Sequence, residues 1–280
     1  MNKPLLSICI STFNRAEQLE KSLRSIVSQT PFQEKKVEIV ICDNASTDAT
    51  PLILKQYKEL SENILIYRNE QYVDTKRFPY IISLGSGLLR KLSNDTIVYE
   101  DGALEDMCTL IEHFRDQKPV VFWSNGTLSC VPEGIIAFDT FVKVATFQVT
   151  WIGAVSIWDT DCDNIEKDTD GCEKLLWQVR KTYELASAKD KCVIINNKFG
   201  RTLSVDKKNI SYGLYKVFYE NFVSFLMPYL ETGKISQNTF NSVERDLLYD
   251  FFTPWIIEWE LNREKYRYNG KKDGKCGKNS

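Results

Sequence analysis

Two stretches near the start of the chain share one pattern. Leu5-Leu6-Ser7-Ile8-Cys9-Ile10 and Val37-Glu38-Ile39-Val40-Ile41-Cys42 are nearly continuous apolar runs, and each stops abruptly at polar residues. The first ends in Ser11-Thr12-Phe13-Asn14-Arg15, the second in Asp43-Asn44-Ala45-Ser46-Thr47-Asp48. Short apolar runs rich in β-branched residues predict strands buried on both faces. Between them, residues 16–28 carry Leu19, Leu23, Ile26 and Val27 at helical spacing. Residues 51–60, opened by Pro51 and preceded by capping residues Ser46, Thr47 and Asp48, predict a second helix. Ile64-Leu65-Ile66-Tyr67 is a third strand. Strands alternating with helices imply a parallel sheet with right-handed crossovers. Ligands of such sheets bind at the carboxyl ends of the strands, where loops and helix N-termini converge. Asp43 is delivered to that edge.

Further on, Leu88-Leu89-Arg90-Lys91-Leu92 predicts a fourth strand, residues 105–114 a helix and Val120-Val121-Phe122-Trp123 another strand. Residues 138–150 suggest a helix then a strand, leading to Thr150-Trp151-Ile152-Gly153, to Val155-Ser156-Ile157-Trp158 and to the acids Asp159, Asp161 and Asp163. Residues 172–185 predict an amphipathic helix and Cys192-Val193-Ile194-Ile195 a late strand. Residues 211–227 and 242–259 read as aromatic-rich helices punctuated by Pro228, Gly233 and Pro254, their stripes serving helix packing. The tail beyond Asn262 carries Arg263, Lys265, Arg267, Lys271, Lys272, Lys275 and Lys278. It is expected to be disordered, with attraction to an anionic membrane surface as the functional alternative.

Composition removes several classes. A net charge of -2 with 26% charged residues lacks the electrostatic footprint of a nucleic-acid binder. The eight cysteines are dispersed without a C-x-x-C pair, and the lone histidine, His113, cannot complete a zinc set. Cys9 and Cys42 sit in apolar runs and read as reduced core thiols. With no signal-peptide pattern and no apolar stretch of bilayer length, the expected location is the cytoplasm, soluble or at the inner face of the membrane.

Ser11-Thr12-Phe13-Asn14-Arg15 resembles the P-T-Y-N-R signature of inverting family 2 glycosyltransferases with the GT-A fold. Cys42-Asp43-Asn44-Ala45-Ser46-Thr47-Asp48 resembles their V-D-N-x-S-x-D, in matching order and separation, and the similarity continues through Tyr67-Arg68-Asn69 and residues 92–104. The resemblance implies an α/β GT-A domain, a mixed sheet flanked by helices, over residues 1–205. A helical C-terminal region at 206–262 and the basic tail at 263–280 would follow. It implies transfer of a sugar with inversion, from a nucleotide-diphosphate donor to a hydroxyl of a glycan or lipid-linked acceptor, in bacterial capsule or O-antigen synthesis. Thr12, Phe13, Asn14, Arg15, Asp43, Asn44, Arg68, Asn94 and Asp95 would hold the nucleotide sugar.

One departure is central. Family members carry a D-x-D or D-D-D triplet after the fourth strand, where carboxylates hold a divalent cation against the diphosphate; here that position reads Ser93-Asn94-Asp95-Thr96. Asp101-Gly102-Ala103-Leu104, which resembles the family's P-G-A-L, anchors this alignment. A rival placing Leu84-Gly85-Ser86-Gly87 over the triplet leaves too long a gap. Asp95, diphosphate oxygens and water would hold Mg²⁺ or Mn²⁺. The resemblance carries the general-base role to Asp161, with Asp159 and Asp163 as substitutes. A helix start with dipole-favoured acids explains the same cluster, and the glycine and glutamate of a calcium loop are not at their offsets. The depleted triplet also fits a GT-A nucleotide-binding or scaffold protein that has lost catalysis. A nucleotidyltransferase would need a glycine-rich, basic phosphate loop after the first strand, and Ser11 to Arg15 is not one.

Overall fold

The structure is a computed structural model and describes residues 3–73, 75–204 and 213–261. Strand β1 (Leu6–Thr12) leads through α1 (Ala16–Val27) and the short α2 (Thr30–Gln33) to β2 (Val37–Asp43), and α3 (Thr50–Leu60) leads to β3 (Ile64–Arg68). After α4 (Arg77–Leu84) come β4 (Leu89–Asn94), β5 (Ile97–Tyr99), α5 (Ala103–Phe114), β6 (Val120–Trp123) and α6 (Phe138–Ala145). Then follow β7 (Ser156–Trp158), α7 (Trp177–Lys189), β8 (Cys192–Ile195) and β9 (Gly200–Thr202). Helices α8 (Phe222–Glu231), α9 (Gln237–Asp246) and α10 (Thr253–Leu261) close the described chain, with π-helical segments before α8 and α10.

The main sheet has the order β3-β2-β1-β4-β7. Its first four strands run parallel and β7 runs antiparallel to β4. All seven residues of β2 are buried, as parallel strands covered on both faces require. The acid inside that strand, Glu38, accepts hydrogen bonds from the Ser7 hydroxyl at 2.6 Å, the Ser86 hydroxyl at 2.8 Å and the Ser86 N–H at 2.5 Å. Gly85-Ser86-Gly87 therefore lies at the amino edge of the sheet, closing over Glu38. A Cβ on Gly87 would stand 2.7 Å from the Ser7 backbone nitrogen, so only glycine fits. The stretch that rivalled Asn94-Asp95 is thus placed at the opposite edge.

Two smaller two-stranded sheets, β5-β9 and β6-β8, lie beside the main one. One core cluster joins β6, α6 and α7 to Phe222, Leu226, Phe240, Val243 and Leu247 of the C-terminal helices. Among the described residues no helix is long and apolar enough to cross a membrane. The basic tail lies outside the described residues.

Two expectations are corrected. Residues 146–150 and 152–154 form 3₁₀ turns, not strands. The Trp151 ring folds back so tightly on Gly153 that a Cβ there would come within 2.7 Å of it, and the Gly153 carbonyl accepts from the fully buried Lys91 ammonium. That amine lies 4.7 Å from the Phe199 ring centroid, and burial lowers its pKa to about 7. Satisfying it outweighs the local β propensity. The helix expected over 172–185 begins only at Trp177.

Candidate functional site

Strand register assembles the carboxyl edge. Ser11 pairs with Cys42 on one side and Asn94 on the other, and Thr12 pairs with Asp43, which pairs with Arg68. Three loops leave from these positions and clasp one another. Asn14 adopts a left-handed backbone (φ 51°), where Asn is tolerated better than most residues. Its N–H donates to the Ser46 hydroxyl at 2.9 Å, and its side-chain oxygen accepts from the Thr47 N–H at 2.7 Å. Asn44 is buried, accepting from the Val73 N–H at 2.8 Å and donating to the Val73 carbonyl at 2.7 Å. Asp48 accepts from the N–H groups of Ala16 and Thr50. Both asparagines thus spend their polar groups on holding loops together.

Asp95 is 2% exposed just past the end of β4. Its Oδ2 accepts from the Thr12 hydroxyl at 2.9 Å and its Oδ1 from Arg15 Nη1 at 2.8 Å. Burial raises the carboxyl pKa, and the Arg15 charge with these two donors opposes the rise. Around Asp95 opens a cleft of about 140 Å³ lined by Ser11, Thr12, Phe13, Arg15, Asn44, Tyr72 and Arg77. Phe13 and Tyr72 form an exposed edge-to-face pair at 5.0 Å. Arg77 donates to the Val73 carbonyl at 3.1 Å, its guanidinium 4.8 Å from the Phe78 ring centroid and 5.9 Å from that of Tyr72.

Asp43, 1% exposed, anchors an adjoining depression with Leu54, Lys55, Ile66 and Arg68. Its Oδ1 accepts the Ser46 N–H at 3.0 Å, whereas the buried Oδ2 accepts no hydrogen bond among the described residues. Arg68 Nη1 stands 3.4 Å from that oxygen. A buried acceptor without a donor is costly unless a ligand supplies one.

Asp161 is not part of this assembly. Because β7 is antiparallel to β4, with Trp158 opposite Leu89 and Ser156 opposite Lys91, its carboxyl end lies at the amino edge of the other strands. Asp161 pairs there with Lys189 at 2.5 Å, and Asp159 bridges Lys3 and Lys118 at 2.5 and 2.8 Å. Neither faces the cleft, so the base expected from the acidic cluster is withdrawn. A second acid-bearing loop precedes α7, whose last residue, Lys189, donates to Asp161 at the amino edge. The Thr75 hydroxyl donates to the Cys172 carbonyl at 2.7 Å, tying this loop to the segment that carries Arg77. Glu173 is the next residue and is exposed. Ser11, Tyr72 and Arg77, which line the cleft, were missed in the sequence. Ser11 could have been found from its place in the first motif, whereas the others carry no motif.

A divalent cation needs about six oxygen ligands. Among the described residues no three His, Cys, Asp or Glu side chains come together. Asp95 is one carboxylate with both oxygens engaged. The described side chains thus offer a cation one carboxylate, and the further oxygens would have to come from a bound diphosphate and water.

Residues 7–73, which hold both loop motifs, match the family described as glycosyl transferase family 2. That match covers 67 of the chain's 280 residues. Abequosyltransferase RfbV of Salmonella typhimurium is 44% identical over 120 residues, 42% of this chain and 34% of that protein. The chain thus spans about a third of that relative's length. Among solved structures, Staphylococcus aureus TarS 1-349 in complex with UDP-GlcNAc superposes with a TM-score of 0.63 at 15% identity, covering 92% of this chain and 77% of that one. Mannosyltransferase PcManGT of Pyrobaculum calidifontis, in complex with GDP-Man and Mn²⁺, gives a TM-score of 0.52 at 12% identity, covering 94% and 85%. These likenesses show the GT-A fold. A cation accompanies the donor in at least one protein of the fold.

Proposed function

We propose that this chain transfers a sugar from a nucleoside-diphosphate donor to an acceptor hydroxyl, with inversion at the anomeric carbon. The observation that carries the reading is Asp43 Oδ2, buried at the carboxyl edge beside Arg68 and accepting no hydrogen bond among the described residues, next to a cleft lined by Arg15, Arg77 and an exposed aromatic pair. Asp43 accepts from the base or ribose. Phe13 and Tyr72 offer apolar surface to the nucleoside, and the arginines face the diphosphate.

Glu173, on the loop before α7, is the general base of this reading. It takes the proton of the acceptor hydroxyl as that oxygen bonds to the anomeric carbon. The bond from that carbon to the diphosphate oxygen breaks, and its electrons leave with the diphosphate. Attack from the face opposite the leaving group inverts configuration. Assembly of a bacterial surface glycan on a glycan or lipid-linked acceptor is the role we infer, since a glycosyltransferase named for teichuronic acid biosynthesis and a glucosyltransferase named for an undecaprenol-linked glycan are among the similar proteins. An acceptor on a lipid carrier would bring the basic segment 263–280 to the inner membrane face.

Calorimetry with uridine, guanosine, cytidine and thymidine diphosphates is the test. One of them binds the parent, and Asp43→Ala weakens that binding by about 1.5 to 3 kcal/mol. No binding by any of them, or equal affinity in the variant, overturns the reading. Binding of a nucleoside diphosphate without hydrolysis or transfer from any nucleotide sugar would favour the scaffold alternative.

A further inference from the structure

We propose that the exposed apolar side chains of α10 and of the π-helical segment before it dip into an anionic lipid surface, to which the basic segment 263–280 draws them. This rests on the reading of a lipid-linked acceptor and deepens it, by naming the surface on which the chain meets one.

Burial separates α10 from the helices before it. Helices α8 and α9 put Phe222, Leu226, Phe240 and Val243 into the core, whereas none of the described side chains of α10 is buried. Ile256, Ile257 and Leu261 are 59%, 54% and 78% exposed, and Leu248 and Tyr249 on the preceding π-helical segment are exposed as well. Singly exposed apolar residues need no explanation, but five between positions 248 and 261 are a concentration that marks a contact surface. A helix this apolar is ordinarily covered. Its nine residues are too few to span a bilayer, and no described helix is long and apolar enough to cross one, so the geometry fits a helix lying in the interface.

Charge identifies the surface that covers it. Directly after α10, residues 263–280 hold seven Lys and Arg against two acids, Glu264 and Asp273, in a chain whose net charge is -2. Everything before this segment is therefore acidic in balance, and the positive charge is concentrated beside the exposed apolar side chains. Anionic headgroups attract such a cluster. A second copy docked through α10 would instead bring two basic segments together, because a two-fold interface sets the same patch against itself. Tyr266 and Tyr268, among the first basic residues, are of the aromatic type that settles at headgroup depth. A short apolar insertion and a basic cluster each bind membranes weakly, and stable attachment takes the two together. Glu258 and Glu260 of α10 are exposed and limit its depth, keeping the helix at headgroup level while the aliphatic side chains reach below.

The experiment is co-sedimentation of the full chain with vesicles of phosphatidylcholine containing phosphatidylglycerol, beside vesicles of phosphatidylcholine alone. Binding should be at least about tenfold stronger with phosphatidylglycerol and should weaken in high salt. Ile256→Ser combined with Ile257→Ser should lose at least about tenfold of that binding although every charge is kept, since two aliphatic side chains no longer enter the lipid. Lys271→Gln, Lys272→Gln and Lys275→Gln together should narrow the preference for phosphatidylglycerol by at least about tenfold. Circular dichroism equal to the parent's shows that the variants fold. Unchanged binding in the isoleucine variant, equal binding to both vesicles or binding to neither overturns the inference. So does a dimer of the parent that the isoleucine variant dissociates, because a second copy then covers α10. Nucleotide calorimetry keeps the two readings apart: a chain that binds a nucleoside diphosphate but no vesicle sinks this inference alone, and one that binds vesicles but no nucleotide sinks the reading of the cleft.

Discussion

The two edges of the main sheet treat their acids in different ways. At the amino edge Asp159 and Asp161 are locked against Lys3, Lys118 and Lys189. At the carboxyl edge Asp43 and Asp95 are paired as well, with Arg68 and Arg15, but these arginines stay half open to solvent and one Asp43 oxygen accepts no hydrogen bond among the described residues. In sequence the two sets look alike, since each follows an apolar strand and precedes helical structure. Strand direction separates them: β2 and β4 run one way and β7 the other. An acid after a strand reaches the ligand edge only when that strand is parallel to its neighbours.

The strongest way to break this comparison is to exchange the proposed base. Glu173→Gln should lower turnover by roughly 10² to 10⁴-fold, the contribution of a general base, while Asp161→Asn leaves it unchanged. Steady-state transfer with the identified donor decides, and the reverse pattern would return the base to the acidic cluster.

Next in size is stability against affinity. Asp159 is pushed upward by burial, but the hydrogen bonds and charges of Lys118 and Lys3 outweigh this and bring its pKa to about 2. A carboxylate depressed in the folded state stabilises above its unfolded pKa, and that stabilisation fades as pH falls from about 4 toward 2. Asp159→Asn should therefore lower stability at pH 7, by no more than about 1 kcal/mol once solvent screening of the partly exposed lysines is counted, read by denaturant unfolding, with the gap to the parent closing below about pH 4. Nucleotide affinity at pH 7 should not move. Asp43→Ala, at the other edge, should mainly alter affinity.

The smallest change in affinity sharpens the role of Asp95. Thr12→Val removes one donor to a buried carboxylate and should cost about 1 to 3 kcal/mol of stability. The Asp95–Arg15 pair persists, so diphosphate affinity should fall by less than in Asp43→Ala. An equal fall would mean that Thr12 bears on the nucleotide as directly as Asp43 does.

The near end of the site was legible because its signals are local. Apolar runs ending in Thr12, Asp43 and Asp95 define strands, and a strand end already tells which loop each residue enters. Glu173 and Arg77 were not legible. Arg77 reaches the cleft wall through the Asn44 clamp on Val73, and the loop carrying Glu173 is tied to the Arg77 segment by the bond from Thr75 to Cys172; neither contact leaves a periodic trace. Residues 150–153 misled for a related reason, since Lys91 recruits the Gly153 carbonyl from across the sheet.

By itself the sequence determined the parallel β1-to-β3 core, the two motif-bearing loops and the loss of carboxylates beside Asp95, because hydrophobic periodicity and turn chemistry act within a few residues. Only the tertiary structure decided that β7 runs antiparallel, that its acids belong to lysines at the far edge, and that Arg77 lines the same cleft as Arg15. Strand direction and loop docking are set by which surfaces must be buried together, and that depends on the whole chain at once.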